Sequence, residues 1–158
     1  MALVAPTPPA KAGLALQLAG ETLWLTPDRA LVWPRRRWVI IADPHFGKTA
    51  AFQRAGLGLP NGVDGDDLER LGQLVTTWDA EVVVVLGDFF HGVEALDPEG
   101  TFGLAFRAFC QRFAERSFAV GRGNHDRWAL DFGGWGGHWR WLEGGERVEA
   151  WALYQYAP

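Results

Sequence analysis

Two uninterrupted apolar runs dominate the hydropathy pattern, Trp38-Val39-Ile40-Ile41-Ala42 and Val82-Val83-Val84-Val85-Leu86. Their β-branched content favours strand over helix. A run apolar at every position predicts a strand covered on both faces, the usual state of a parallel one. Ser117–Gly121 is a third, shorter strand candidate. Residues 22–25 and 30–33 flank Thr26-Pro27-Asp28-Arg29, a turn with proline in second place, and predict a hairpin. Helical spacing follows elsewhere. Over residues 64–78, Leu68, Leu71, Val75 and Trp78 share one face, and Asp64, Asp66 and Asp67 sit near the start, where the helix dipole favours negative charge. Over residues 98–115, Phe102, Phe106, Phe109 and Phe113 form an apolar stripe, with Asp97-Pro98 as the expected cap and first-turn proline. The alternation of strands and helices predicts an α/β sheet with parallel central strands.

Both ends break this pattern. Residues 1–12 are rich in proline and alanine, and residues 1–19 are expected to form a flexible leader ahead of a domain body over 20–127. Residues 128–158 read as an atypical tail. Five of the nine tryptophans (Trp128, Trp135, Trp139, Trp141 and Trp151) fall there among glycines, without a clear period of 2 or 3.6.

Composition narrows the class. A chain of 158 residues, 48% hydrophobic and 22% charged, is globular and sized for one domain. Its net charge of −4 creates no strong field toward nucleic acid or an anionic membrane. A single cysteine, Cys110, excludes a disulfide framework and a thiolate zinc cluster, and reads as a small buried hydrophobe. Neither a secretory signal nor a spanning helix is legible, so cytoplasm is the expected compartment. Arg35-Arg36-Arg37 reads as a solvated loop before a strand rather than a phosphate contact.

Candidate chemistry sits where the three strands end. Asp43-Pro44-His45 follows the first, Gly87-Asp88-Phe89-Phe90-His91 the second, and Gly123-Asn124-His125-Asp126 the third. The carboxyl edge of an open parallel sheet is where ligands bind, so three segments deliver oxygen and nitrogen ligands to one rim. Carboxylate, amide and imidazole without thiolate suit Mn²⁺, Fe²⁺ or Zn²⁺, and Mg²⁺ less well. Asp88, on the central strand, is the candidate to bridge two ions.

In this order and spacing, the three clusters resemble the first three motifs of the calcineurin-like metallophosphoesterases. More narrowly, residues 20–126 are similar to the bacterial ligase-associated DNA damage response endonucleases (PdeM). The leading hairpin, Asp43-Pro44-His45-Phe46-Gly47-Lys48 and Gly58-Leu59-Pro60 carry that likeness. The resemblance implies an α/β fold, a metallophosphoesterase-type β-sandwich flanked by helices with the site at one edge. It implies two divalent metal ions, manganese foremost, with iron or zinc as alternatives. Asp43 and His45 would bind the first, Asp88 would bridge, and Asn124 would bind the second. His125 would face the substrate, Asp126 would orient His125, and His91 would lie behind the ligands. The implied substrate is a phosphodiester, DNA by likeness, attacked in line by a metal-activated hydroxide, with DNA-repair proteins as partners and no membrane.

The likeness stops short of the family's later motifs, a histidine and then a G-H-x-H. Of the four histidines in this chain, His45, His91 and His125 already have places. Only His138 remains, in Gly137-His138-Trp139-Arg140, and it reads as a chance echo. The C-terminal half is therefore expected to be incomplete, its tail foreign to the family through a frameshift or a truncated reading frame, and metal occupancy weakened by three missing histidines. Two functions follow: a metal-dependent phosphoesterase, a DNA-repair-associated nuclease by resemblance, or an inactive or truncated fragment acting as a binding module. An incomplete sandwich would also expose a sheet edge and apolar faces, favouring marginal stability and self-association.

Overall fold

The computed structural model describes residues 9, 13–58, 63–92, 95, 97–128, 135–142, 146–148 and 151–153. Seven strands form one mixed sheet in chain order: β1 (Leu14–Leu18), β2 (Glu21–Leu25), β3 (Leu31–Trp33), β4 (Trp38–Ala42), β5 (Val82–Leu86), β6 (Ser117–Gly121) and β7 (His138–Leu142). The first four are antiparallel, and β4 through β7 run parallel. Helices α1 (Lys48–Arg54) and α2 (Val63–Thr77) connect β4 to β5, and α3 (Thr101–Arg112) connects β5 to β6. β8 (Glu146–Val148) and β9 (Trp151–Leu153) make a separate antiparallel ribbon.

Alternation along the parallel strands divides the core between two faces. Val32, Val39, Val83, Phe118 and Trp139 lie in one cross-strand row on the face that α2 and α3 cover. Ile40, Val84, Ala119 and Leu142 are buried on the other face. Each buried Val, Ile, Leu or Phe contributes about 1.5–3 kcal/mol, so the continuous apolar runs specify the centre of the sheet. The expected stripe on α3 is buried, and Cys110 beside it is 1% exposed. Burial pushes the Cys110 thiol up to about 12, which leaves it protonated and unreactive at neutral pH.

Three sequence expectations change here. Residues 14–18, assigned to the leader, form β1, which pairs with β2 along its whole length through the turn at Ala19-Gly20; residues 1–8 and 10–12 lie outside the described residues. α3 starts at Thr101 with Gly100 as its cap. Asp97 instead closes a turn, its carboxylate accepting the Glu99 N–H and its carbonyl the Gly100 N–H. The tail contains β7, parallel to β6. Its period of two was hidden because large or polar residues occupy every position but the last; Trp139 nevertheless stacks on Phe118 at a centroid distance of 4.2 Å.

Arg37 pairs with Asp79 and Glu81, and Arg35 with Glu21, so those two arginines serve the fold. Hydrogen bonding from Arg35, reinforced by Trp33 Nε1 at 2.7 Å, holds the Glu21 carboxyl below its usual 4.5. A depressed folded pKa gives stability that is present above the ordinary carboxyl value and lost as pH falls through the folded one. Glu21→Gln is therefore expected to lower the melting temperature at neutral pH and to flatten its decline below about pH 4.5. Parallel acid melting curves for the two proteins would contradict this.

Candidate functional site

β4, β5 and β6 end side by side, and the chain beyond β4 stays stitched to the chain beyond β5. The His45 N–H donates to the Asp88 carbonyl (3.0 Å), Phe46 N–H to Phe89 (2.9 Å), and His91 N–H to Phe46 (2.9 Å). Pairing past the strand ends fixes two of the three polar segments against each other. It also demands unusual backbone: Asp43 (φ 45°), His45 (φ 48°) and Asp88 (φ 42°) all lie in the left-handed region. Such conformations cost about 1–3 kcal/mol each in side-chain-bearing residues and persist where surrounding structure enforces them.

Asp126 braces the loop that follows Asp88. It is fully buried, one oxygen accepting the Phe89 (3.1 Å) and Gly123 (2.9 Å) N–H groups and the other accepting Phe90 N–H (2.9 Å). One carboxylate thus ties the β5 loop to the β6 loop. The expectation that Asp126 orients the His125 ring is corrected on this point, since its oxygens face backbone donors. The ring is held elsewhere: His125 Nδ1 lies 2.8 Å from the His91 carbonyl oxygen. A carbonyl only accepts, so Nδ1 carries the proton and Nε2 presents a lone pair.

Around Asp88 the parts converge. One Asp88 oxygen accepts the His125 N–H at 2.9 Å, and the other lies 3.8 Å from His45 Nε2. His45, His91 and His125 each place a ring nitrogen within 4.8 Å of the others. The His91 and His125 rings stack at 5.2 Å, and His45 meets His125 edge-on at 4.9 Å. His91, expected behind the ligands, stands among them.

Asp43 and Asn124 are exposed; Asp43 is outside the histidine cluster and lines a neighbouring cavity. His138 is exposed at the start of β7, opposite Ser117, which places it at the other end of the parallel strands.

The donor set fits a divalent cation. The 3.8 Å between His45 and Asp88 is too long for a hydrogen bond and within reach of two ligands on one ion at about 2.0–2.2 Å each. His125 is oriented beside them by donating Nδ1–H to the His91 backbone carbonyl. Gly123 is needed for close approach, because a Cβ there would lie 2.0 Å from Asp88 Oδ1. Gly123→Ala is expected to displace Asp88 and weaken Mn²⁺ binding about 10–100-fold by calorimetry. Unchanged affinity would show that the Asp88 position is immaterial.

Sequence reasoning missed α1, although Thr49-Ala50-Ala51 after Gly47 includes two strong helix formers. This helix brings Phe52 against His91, with ring centroids 5.5 Å apart.

The family model described as calcineurin-like phosphoesterase matches residues 36–157. The match runs on through the segment beyond Arg127. Among solved structures, the chain is similar to the Pseudomonas putida nuclease MPE, with 28% identity and a TM-score of 0.72 over 87% of this chain. It spans 62% of the length of that nuclease. Comparison with curated protein sequences gave no match.

Proposed function

This chain belongs to the calcineurin-like phosphoesterase family, and on that footing we propose that it hydrolyses phosphodiester bonds in nucleic acid, using a divalent cation. The observation that carries this reading is the gathering of His45, His91 and His125 at the carboxyl edge of the sheet, with an Asp88 oxygen 3.8 Å from His45 Nε2. Asp88, His45 and His91 form the cradle. Two imidazoles and a carboxylate suit manganese, iron or zinc and leave positions for substrate and water. Asp43 and Asn124, at the ends of β4 and β6, are the proposed oxygen donors toward a second ion. A cation held there would supply positive charge to a phosphoryl group and lower the pKa of a bound water.

His125 is the most exposed of the three histidines and turns Nε2 away from the His91 carbonyl. A second proton taken up at the Nε2 lone pair would be donated to the leaving oxygen or to a non-bridging oxygen as charge develops. Asp126 acts at one remove, by holding the loops that carry Asp88 and His125.

DNA as substrate, a place in DNA repair with repair proteins as partners, and a cytoplasmic location belong to the same proposal and rest on the motif resemblance. Self-association is proposed along β1, whose Leu14, Leu16 and Leu18 are exposed. No helix among the described residues is long and apolar enough to cross a membrane.

A second reading, a cation-loaded binding module without turnover, is favoured by the histidine count. With His45 and His91 in the cradle, His125 given to the substrate and His138 remote, no histidine is left for a second ion. Hydrolysis of bis(p-nitrophenyl) phosphate and of single-stranded DNA decides between the two. Turnover that requires Mn²⁺ and stops on chelation supports the phosphodiesterase; Mn²⁺ binding without turnover supports the module.

A further inference from the structure

We propose that the cavity between the β2–β3 turn, the end of β4 and α2 is a nucleobase subsite serving the cation cradle; this rests on the proposed action on nucleic acid. The cavity measures about 120 Å³, well below the roughly 300–1,000 Å³ of a drug-sized pocket and of a scale for one ring system. Ile41, Leu71 and Leu74 supply the apolar part of its lining. Polar groups gather with them: Asp28 and Arg29 from the turn, Asp43 from the end of β4, and the Asp67–Arg70 pair from α2, joined at 2.9 Å.

Arg29 is distinctive within this set. Its side chain has no hydrogen bond or ion pair among the described residues, whereas Arg35, Arg37, Arg54, Arg70, Arg112 and Arg116 are all paired with carboxylates. Its backbone is held in the left-handed region at φ 59°. An unpaired guanidinium offers two parallel donors, suited to a base edge or to a phosphate. The company it keeps selects the base. Asp28 and Asp67, with Asp43 at the edge, would repel a phosphate, whereas Asp28 and Asp67 accept hydrogen bonds from the amino and imino groups of a neutral heterocycle. Ile41, beside Leu71 and Leu74, offers apolar contact to the face of such a ring. Asp43 lines the cavity only two residues before His45, so a base docked there places its own backbone beside the cradle.

The test is binding of a short fluorescent single-stranded DNA and of an abasic strand of equal length, measured without metal so that neither is cut. The wild-type chain is expected to prefer the strand with bases by about tenfold, in line with the discrimination of one good base contact. Arg29→Gly, which keeps the left-handed turn, should remove most of that preference while leaving abasic binding and bis(p-nitrophenyl) phosphate hydrolysis unchanged. Arg29→Lys keeps the charge without the fork and should not restore it. A wild-type chain indifferent to bases would overturn the subsite, as would a preference that survives Arg29→Gly or returns fully with Arg29→Lys. A base preference that depends on Arg29 in a chain without turnover would uphold the subsite and refute only the hydrolase reading.

Discussion

Asp88→Ala is expected to lower Mn²⁺-dependent phosphodiester hydrolysis by about 10³-fold, the scale lost when a preorganised charge-stabilising group is removed from an active site. Two contacts make this the most damaging single change at the site. One Asp88 oxygen anchors the His125 backbone, and the other faces His45 Nε2 across a gap fit for a shared ion. Alanine removes both. Asp88→Asn separates them, because an amide oxygen still accepts the His125 N–H while the negative charge is gone. The asparagine variant should therefore melt near wild type yet bind Mn²⁺ at least tenfold more weakly and turn over almost as poorly as alanine. Kinetics with bis(p-nitrophenyl) phosphate, beside calorimetry and a thermal melt, read all three quantities. Substantial turnover in Asp88→Asn would mean that the carboxylate acts as scaffold and not as a cation ligand.

Asp126→Ala should cost about 3–5 kcal/mol of stability. The side chain is fully buried, and its loss leaves the N–H groups of Phe89, Phe90 and Gly123 without their acceptor. Each orphaned buried donor costs about 1–3 kcal/mol, with partial relief as water enters. For a chain of this size the melting temperature should fall by about 10 °C, at roughly 2–4 °C per kcal/mol. Asp126→Asn should be intermediate, because one amide oxygen survives while the NH₂ group confronts a backbone donor. Circular dichroism melts of the three proteins check the order. A variant as stable as wild type would show that the loops beyond β5 and β6 hold their shape without this carboxylate.

The centre of the fold was readable because its signal is strong and local. Val82–Leu86 and Trp38–Ala42 leave no polar position to accommodate, so only a sheet covered on both sides suits them. The phenylalanine stripe of α3 was equally plain. What escaped were elements whose reason lies elsewhere in the chain. β1 has every residue exposed and exists through its partner β2. β7 owes its place to the edge of β6 and to the surface that Phe118 offers Trp139. The site divides in the same way. Spacing brought Asp88, His45 and His125 to one rim. It did not place His91 among them, because that depends on the His91 N–H reaching the Phe46 carbonyl across two loops. Nor did it reveal that Asp126 faces backbone donors, since a buried carboxylate with three N–H partners looks in sequence like any acid beside a histidine. Arg29 carried no signal beyond its place in a turn.

Titration with Zn²⁺, which is diamagnetic, while following the histidine ring resonances by NMR, tests the shared cation cradle most directly. The account predicts that His45, His91 and His125 shift together at low metal and that His138 stays still. Binding that leaves those three rings unmoved, or that moves His138 instead, would contradict it.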